Sequence, residues 1–311
     1  MLFPPMLSRP RNAAALERLF EKMHPTTITS CTDYYQLSSA QTKSDNLVCC
    51  AVLKDSGSID FDDYGGELEL YDLNMSDPSG AKPKLMGSTK TTTRFASVGW
   101  TTPLGCYGTG LIAGGMVDGV VNIWNPSAMM DNQQQPQQGP SPLVASMKKH
   151  EGGGPVKALQ FNTVLAPEML ATGGGDGQML ITSLENPDVP VTTLPGSEPS
   201  PGAEITGVSW NTQVAHIVAS SASDGLVSVW DLKAKKPWRQ FRADGMAVAS
   251  MAWNPSQGRH LVTASIDDRN PILNLWDLRA STSVPLATLS GHTQGILGLS
   301  WCPHDDNLLL S

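Results

Sequence analysis

Short apolar runs, interrupted every few positions by Gly, Asp, Asn or Pro, extend along most of the chain. "ITGVSW" (205–210) alternates apolar and polar positions, "HIVASSA" (216–222) is a nearly continuous run of apolar and small residues, and "GLVSVWDL" (225–232) alternates again. A period of two predicts strands, and the continuous run predicts a strand covered on both faces. One stretch differs: in "NAAALERLFEKMH" (12–24) Leu16, Leu19, Phe20 and Met23 share one helical face, which predicts a helical N-terminal extension over residues 1–24. Glu17 and Glu21 argue against a mitochondrial presequence.

The strand pattern repeats. "SSASDGLVSVWDLKAKKP" (220–237) has counterparts in "GMVDGVVNIWNPS" (115–127), "GGGDGQMLITSLE" (173–185) and "ASIDDRNPILNLWDLR" (264–279), and an earlier copy, "YGGELELYDL" (64–73), carries Tyr71 in place of tryptophan. Ahead of the later copies lies a strand ending in an aromatic residue, at Trp100, Phe161, Trp210, Trp253 and Trp301, followed by an apolar, small-residue strand. A unit of three or four short strands at this spacing predicts an all-β, WD-repeat β-propeller over residues 25–311. Five blades read as complete. A sixth stops at Ser311 before its aspartate turn and third strand, as expected of part of a seven-bladed ring whose remaining blades lie further along the natural chain.

The repeated residue types suit structural work. Asp118, Asp176 and Asp224 each precede a glycine, as a tight hairpin requires, and their carboxylates can accept backbone or histidine hydrogen bonds. Trp124, Trp230 and Trp276 supply wide apolar plates between blades, with Asp231 and Asp277 following the last two. WD repeats usually add a Gly-His pair that completes a buried His, Ser/Thr, Asp and Trp network. Gly291-His292 fits that pattern, Lys149-His150-Glu151 echoes it weakly, and Thr182 stands where the neighbouring repeats have tryptophan.

Composition narrows the function. The net charge is -8, with 29 acidic against 21 basic residues, and no basic stripe marks a nucleic-acid binder. The exposed patch Lys233, Lys235, Lys236 and Arg239 is a possible contact for an acidic neighbour, weighed against a solvated loop. Cysteines 31, 49, 50, 106 and 302 have neither disulfide-framework nor zinc spacing and read as reduced thiols, mostly in the core of a cytosolic protein. No run of about 18 apolar residues would span a membrane. Residues 126–142, rich in Gln and Pro, and 186–203 read as exposed loops. The acidic stretch 54–67 lacks the order of carboxylates of a calcium loop.

No catalytic, cofactor or metal site is expected. "GTGLIA" (108–113) matches a loose dinucleotide fingerprint but falls in a predicted strand with no helix to follow, and "GGGDG" (173–177) lacks the Lys-Ser/Thr of a P-loop. Histidines 24, 150, 216, 260, 292 and 304 show no zinc-hydrolase spacing, and no G-x-S-x-G elbow occurs.

"AHIVASSASDGLVSVWDLKAKKP" (215–237), "DDRNPILNLWDLR" (267–279) and "GHTQGILGLSWCPHDDNLLLS" (291–311) resemble the N-terminal propeller of the Sec thirty-one (SEC31) family, the large outer-coat subunit of COPII vesicles. The resemblance covers about residues 94–311 and leaves out residues 1–24 and the Gln/Pro loop. It implies a cytosolic scaffold at endoplasmic reticulum exit sites and on COPII vesicles, part of a hetero-oligomer with a smaller WD-repeat partner. Its N-terminal propellers would meet one another at the vertices of a cage that supports export to the Golgi. The family's solenoid, and the Pro-rich segment that binds the inner coat, lie downstream of the matched region. The competing expectations are another WD-repeat adaptor, such as a ubiquitin-ligase substrate receptor or chromatin subunit holding a peptide at the channel mouth, and a propeller enzyme.

Overall fold

The computed structural model describes residues 36–39, 47–53, 65–72, 83–134, 140–148, 150, 153–162, 164–185, 190–193, 202–243, 247–302 and 305–311. The predicted helix over residues 12–24, Cys31 and most of the acidic stretch lie outside them. Among the described residues five four-stranded antiparallel sheets follow one another along the chain, and a two-stranded sheet comes last. The first contains β1 (Gln36–Ser39), β2 (Leu47–Leu53), β3 (Gly66–Asp72) and β4 (Lys84–Thr91). The second contains β5 (Phe95–Trp100), β6 (Ile112–Met116), β7 (Val120–Trp124) and, beyond helix α1 (Pro126–Gln134), β8 (Leu143–Lys148). The third is β9 (Ala158–Asn162), β10 (Ala166–Gly173), β11 (Met179–Ser183) and β12 (Pro190–Thr193), and the fourth is β13 (Ile205–Trp210), β14 (Ile217–Ala222), β15 (Leu226–Asp231) and β16 (Lys236–Arg242). The fifth is β17 (Val248–Trp253), β18 (His260–Ser265), β19 (Ile272–Asp277) and β20 (Ala287–Ser290), with β21 (Ser300–Trp301) and β22 (Leu309–Leu310) after it.

Each sheet is a meander in sequence order, and the first strands β1, β5, β9, β13 and β17 lie side by side, so the sheets radiate as propeller blades. Burial follows from that geometry. Second strands are covered on both faces by neighbouring blades, which is why β6, β14 and β18 are buried over almost their whole length and are built from apolar and small residues. The fourth strands β8, β16 and β20 are largely exposed. Apolar clusters therefore form between blades. Ala219, Val229, Phe241, Met251, Leu261 and Trp276 fill the space between the fourth and fifth.

Hairpins between second and third strands share one construction. The Asp118, Asp176 and Asp224 carboxylates accept the N–H of Val120, Gln178 and Leu226, two residues on. The intervening residue is a glycine with positive φ, 81° at Gly225, a conformation that costs a residue with a Cβ about 1–2 kcal/mol.

Three expectations change. Residues 126–134 of the Gln/Pro segment are helical: the Asn125 side chain caps the Ser127 N–H at 3.0 Å, Pro126 starts the helix, and Ala128 and Met129 are buried against β4. Gln and Pro content hid an N-terminal half with three apolar residues. Within the second supposed loop, Pro190–Thr193 pairs with Leu180, Ile181 and Thr182 as the fourth strand of its blade. The glycines of "GTGLIA" precede β6 in a turn instead of lying in a strand, and the element they open is still a strand.

Helix α1 sits so close to β4 that a Cβ at Gly87 would lie 2.7 Å from the Met129 carbonyl oxygen. Gly87→Ala is expected to displace the helix and cost about 1–3 kcal/mol. Lys90→Ala, on the exposed side of the same strand, should stay within about 0.5 kcal/mol. Urea midpoints of the two variants at unchanged slope make the comparison.

Candidate functional site

Strand register aligns the blades residue by residue. Trp124, Trp230 and Trp276 occupy one equivalent position, beside Ile112, Val218 and Leu261, and Thr182 holds it in the third blade, beside Leu170. A second position, on the second strand, is held by Gly114, Thr172, Ser220 and Thr263. In the last two of these blades the buried indole N–H of Trp230 donates to Ser220 Oγ at 3.1 Å and that of Trp276 donates to Thr263 Oγ1 at 2.9 Å. A buried indole donor left alone would lose its water partner without replacement.

The other two blades each lack one member of that pair. In the third, where Thr182 replaces the tryptophan, the Thr172 hydroxyl is engaged instead by His150 Nε2 at 3.1 Å, while His150 Nδ1 lies 3.0 Å from the Asp176 carboxylate. A carboxylate only accepts, so Nδ1 carries the proton toward Asp176, and in the neutral ring Nε2 accepts the Thr172 hydroxyl. His150 is fully buried. In the second blade Gly114 leaves no hydroxyl, and Phe95 packs on Trp124 with ring centroids 5.5 Å apart. A Cβ at Gly114 would collide with both rings.

The two histidines make equivalent hydroxyl bonds in different settings. His292, expected in a buried network, is exposed, although its Nε2 lies 2.8 Å from the Oγ of Ser311, the residue at the Thr172 position. His150, read as a weak echo, is the buried one. Its neighbours Lys149 and Glu151 made the dipeptide look unlike Gly-His, but the network needs the imidazole, the hydroxyl and the turn aspartate, all of which are present. Of the cysteines, Cys106 is exposed and Cys302 half-buried; Cys31 and the side chains of Cys49 and Cys50 lie outside the described residues.

A third set of residues escaped notice in the sequence. Asn162, Asn211 and Asn254, each directly after the first-strand aromatic, are buried. The side-chain oxygen of each caps the following loop, accepting the N–H of Leu165, of Gln213 and Val214, and of Ser256 and Gln257. Their amide nitrogens donate across to the next blade, at the carbonyls of Ala215, Gly258 and Asp306. The readable signal was the repeated aromatic-Asn pair in "QFN", "SWN" and "AWN". Indoles add cross-blade links, Trp210 Nε1 to the Gln160 carbonyl and Trp253 Nε1 to the Ser209 carbonyl, both at 3.0 Å.

Asp231 and Asp277 close equivalent turns by accepting the N–H of Lys233 and Ala234, and of Arg279 and Ala280. Partial burial would raise the Asp277 pKa, yet the Arg279 and Ala280 N–H groups, with Arg259 and His260 at 3.6 Å, hold it below the usual carboxylate range. Lys233, Lys235, Lys236 and Arg239 are exposed around the neighbouring hairpin and along β16. Among the described residues no group of three or more His, Cys, Asp or Glu side chains is placed to hold a metal, and no helix is long and apolar enough to cross a membrane.

The chain matches the family model "WD domain, G-beta repeat" over residues 188–231 and 283–311. It is 38% identical over 262 residues to "Protein transport protein SEC31" of Dictyostelium discoideum, covering 82% of this chain and 19% of that protein. A protein of the same name from Chaetomium globosum is 36% identical over 259 residues, again with 82% and 19% covered. The chain thus spans about a fifth of the length of these relatives. Among solved structures, a chain of "COPII on membranes, outer coat vertex" superposes with a TM-score of 0.70 at 26% identity, over 89% of this chain and 69% of that one. A chain of "Crystal Structure of Mitotic Checkpoint Complex", at 20% identity and a TM-score of 0.61, shares the fold.

His150→Ala is expected to cost about 2–4 kcal/mol, from the cavity and the stranded Asp176, whereas exposed His292→Ala should cost at most about 0.5 kcal/mol. Chemical denaturation at neutral pH measures both. Asp277, with its folded pKa depressed, contributes stability that is present above the unfolded carboxylate pKa and is lost as pH falls through the folded value. The stability gap between wild type and Asp277→Asn should therefore be full at neutral pH and shrink on acidification below about pH 4. A gap that is constant in denaturant midpoints from neutral to acid pH contradicts this.

Proposed function

The chain carries a WD-repeat domain of the SEC31 family, and we propose that it serves as a structural element of the COPII outer coat, in export from the endoplasmic reticulum. The superposition on an outer coat vertex chain at a TM-score of 0.70, together with 38% identity to a SEC31 relative, supports this reading more than any other observation. On this reading the chain is a scaffold with no catalytic step of its own, cytoplasmic and peripheral to the membrane. Its partners would be other coat subunits, chiefly neighbouring propellers at cage vertices.

The physical chemistry suits such a role. Cross-blade links from Asn and Trp side chains make the blades a stiff unit with an exposed polar rim, and rigid units joined by many weak contacts can build a closed cage. A peptide adaptor remains the other reading of the same fold. The 20% identical neighbour supports it at the level of fold alone.

Added in excess to the reconstituted outer coat of a matched relative on liposomes, the chain is expected to enter the coat fraction and reduce cage closure with increasing dose, as seen by electron microscopy. Unchanged lattices at saturating concentration, with the chain left in the supernatant, would count against a vertex role.

A further inference from the structure

In a chain with net charge -8, the outer rim of the fourth and fifth blades collects cations. Lys233 and Lys235 lie in the turn between β15 and β16, Lys236 opens β16, and Arg239 follows on the same strand. Arg239 Nε donates to the carbonyl of Leu278 in the next blade at 3.4 Å, which brings Arg279 alongside, and the Leu278 N–H in turn donates to the Arg259 carbonyl. The basic strip therefore crosses from one blade to the other.

The two carboxylates within it are occupied. Asp231 accepts the Lys233 and Ala234 N–H groups, and Asp277 accepts those of Arg279 and Ala280 and faces Arg259 and His260. Among the described residues no carboxylate pairs with Lys233, Lys235, Lys236 or Arg279. Two further features mark the strip. Lys235 is held at φ 52°, the one positive φ among the described non-glycine residues, a conformation that favours glycine. Trp238 is 40% exposed, with the Arg239 guanidinium 5.0 Å from its ring centroid.

We propose that this strip, along the outer edge of β16 and across to Arg279, binds an acidic extended peptide segment of a partner protein. Carboxylates of the segment would face Lys233, Lys235, Lys236 and Arg279, and its apolar atoms would lie on Trp238. The fourth strand ends its sheet, so the strip runs along an edge and is long and narrow, the shape of a peptide. An anionic membrane is a poorer fit. A lipid surface extends beyond the strip and meets the net negative charge of the whole chain, whereas a short peptide senses only charges within about 8 Å. The proposal rests on charge and geometry alone and stands independently of the coat assignment.

The test titrates the full chain with a labelled oligo-glutamate/aspartate peptide, followed by anisotropy and tryptophan fluorescence. Binding is expected to weaken steeply as salt rises from about 50 to 200 mM. The triple variant K233E/K235E/K236E should lose about tenfold or more in affinity at an unchanged melting temperature, and R279E should lose several-fold. K90E, on the first blade, should bind like wild type. The proposal is overturned if peptide binding is absent at low salt, or if K90E and the triple variant lose affinity equally. Tighter, patch-dependent binding to phosphatidylserine-containing phosphatidylcholine vesicles than to the peptide also overturns it, in favour of a membrane surface. Because the cage experiment does not involve the peptide, either reading can fail while the other stands.

Discussion

Each sheet in this fold has two faces to bury and cannot cover either by itself. A second strand such as β14, buried from Val218 to Ala222, is stable only because a neighbouring blade lies against each side. That constraint governs the rest of the molecule. It moves the apolar core out of the blades and into the spaces between them, and it drives polar groups on an inner strand to find partners across or along the sheet, the Asn122 Oδ1 on β7 being a buried exception among the described residues. The glycine at the second-strand position of the second blade, Gly114, follows from the same crowding, since a Cβ there would strike Phe95 and Trp124.

The repeat is consequently conserved within the chain as a set of satisfied positions more than as a set of residues. Where a tryptophan needs an acceptor, Ser220 or Thr263 supplies a hydroxyl. When the tryptophan is replaced by Thr182, the freed hydroxyl of Thr172 is taken by His150, which also ties the Asp176 turn to the blade. With glycine at the position, an aromatic neighbour fills the space and the hydroxyl is dispensed with. Three chemistries thus meet one geometric demand. The buried Asn162, Asn211 and Asn254 serve the joints between blades, while the Trp230–Ser220 and Trp276–Thr263 bonds tie strands within one blade.

How legible this was depended on the range of the interaction. The blades were readable because their signals are local: a period of two, an Asp-Gly turn, and an aromatic at the end of the first strand all fall within a few residues. The four-stranded first blade could be placed from "YGGELELYDL" even with Tyr71 in the tryptophan position. Misjudgements came where the partner is distant in sequence or hidden by composition. His150 is 22 residues from Thr172 and 26 from Asp176, and its dipeptide context resembled the expected motif less than Gly291-His292 did. Asn162, Asn211 and Asn254 reach carbonyls about fifty residues away, so only their recurrence after an aromatic could have drawn attention to them. Helix α1 was masked by the glutamines at its C-terminal end, although Asn125-Pro126 is a cap and a start, and Met129 an anchor.

A division of labour between interior and rim follows. Interior positions are over-determined: each of the cross-blade asparagines satisfies groups in two blades, so changing one disturbs both. Rim positions carry no such obligation, which leaves their charge free to answer to other demands. Lysines and prolines on an outer strand are expected as protection against edge pairing, and Lys236 and Pro237 at the start of β16 meet that need. Arg279 does not, because it comes from the fifth blade and guards no edge of the fourth, and Lys235 holds a strained backbone where a glycine would relax it. Edge protection accounts for one residue of the strip, Lys236; the continuity of charge across a blade boundary requires a further cause, and recognition of an acidic segment supplies one.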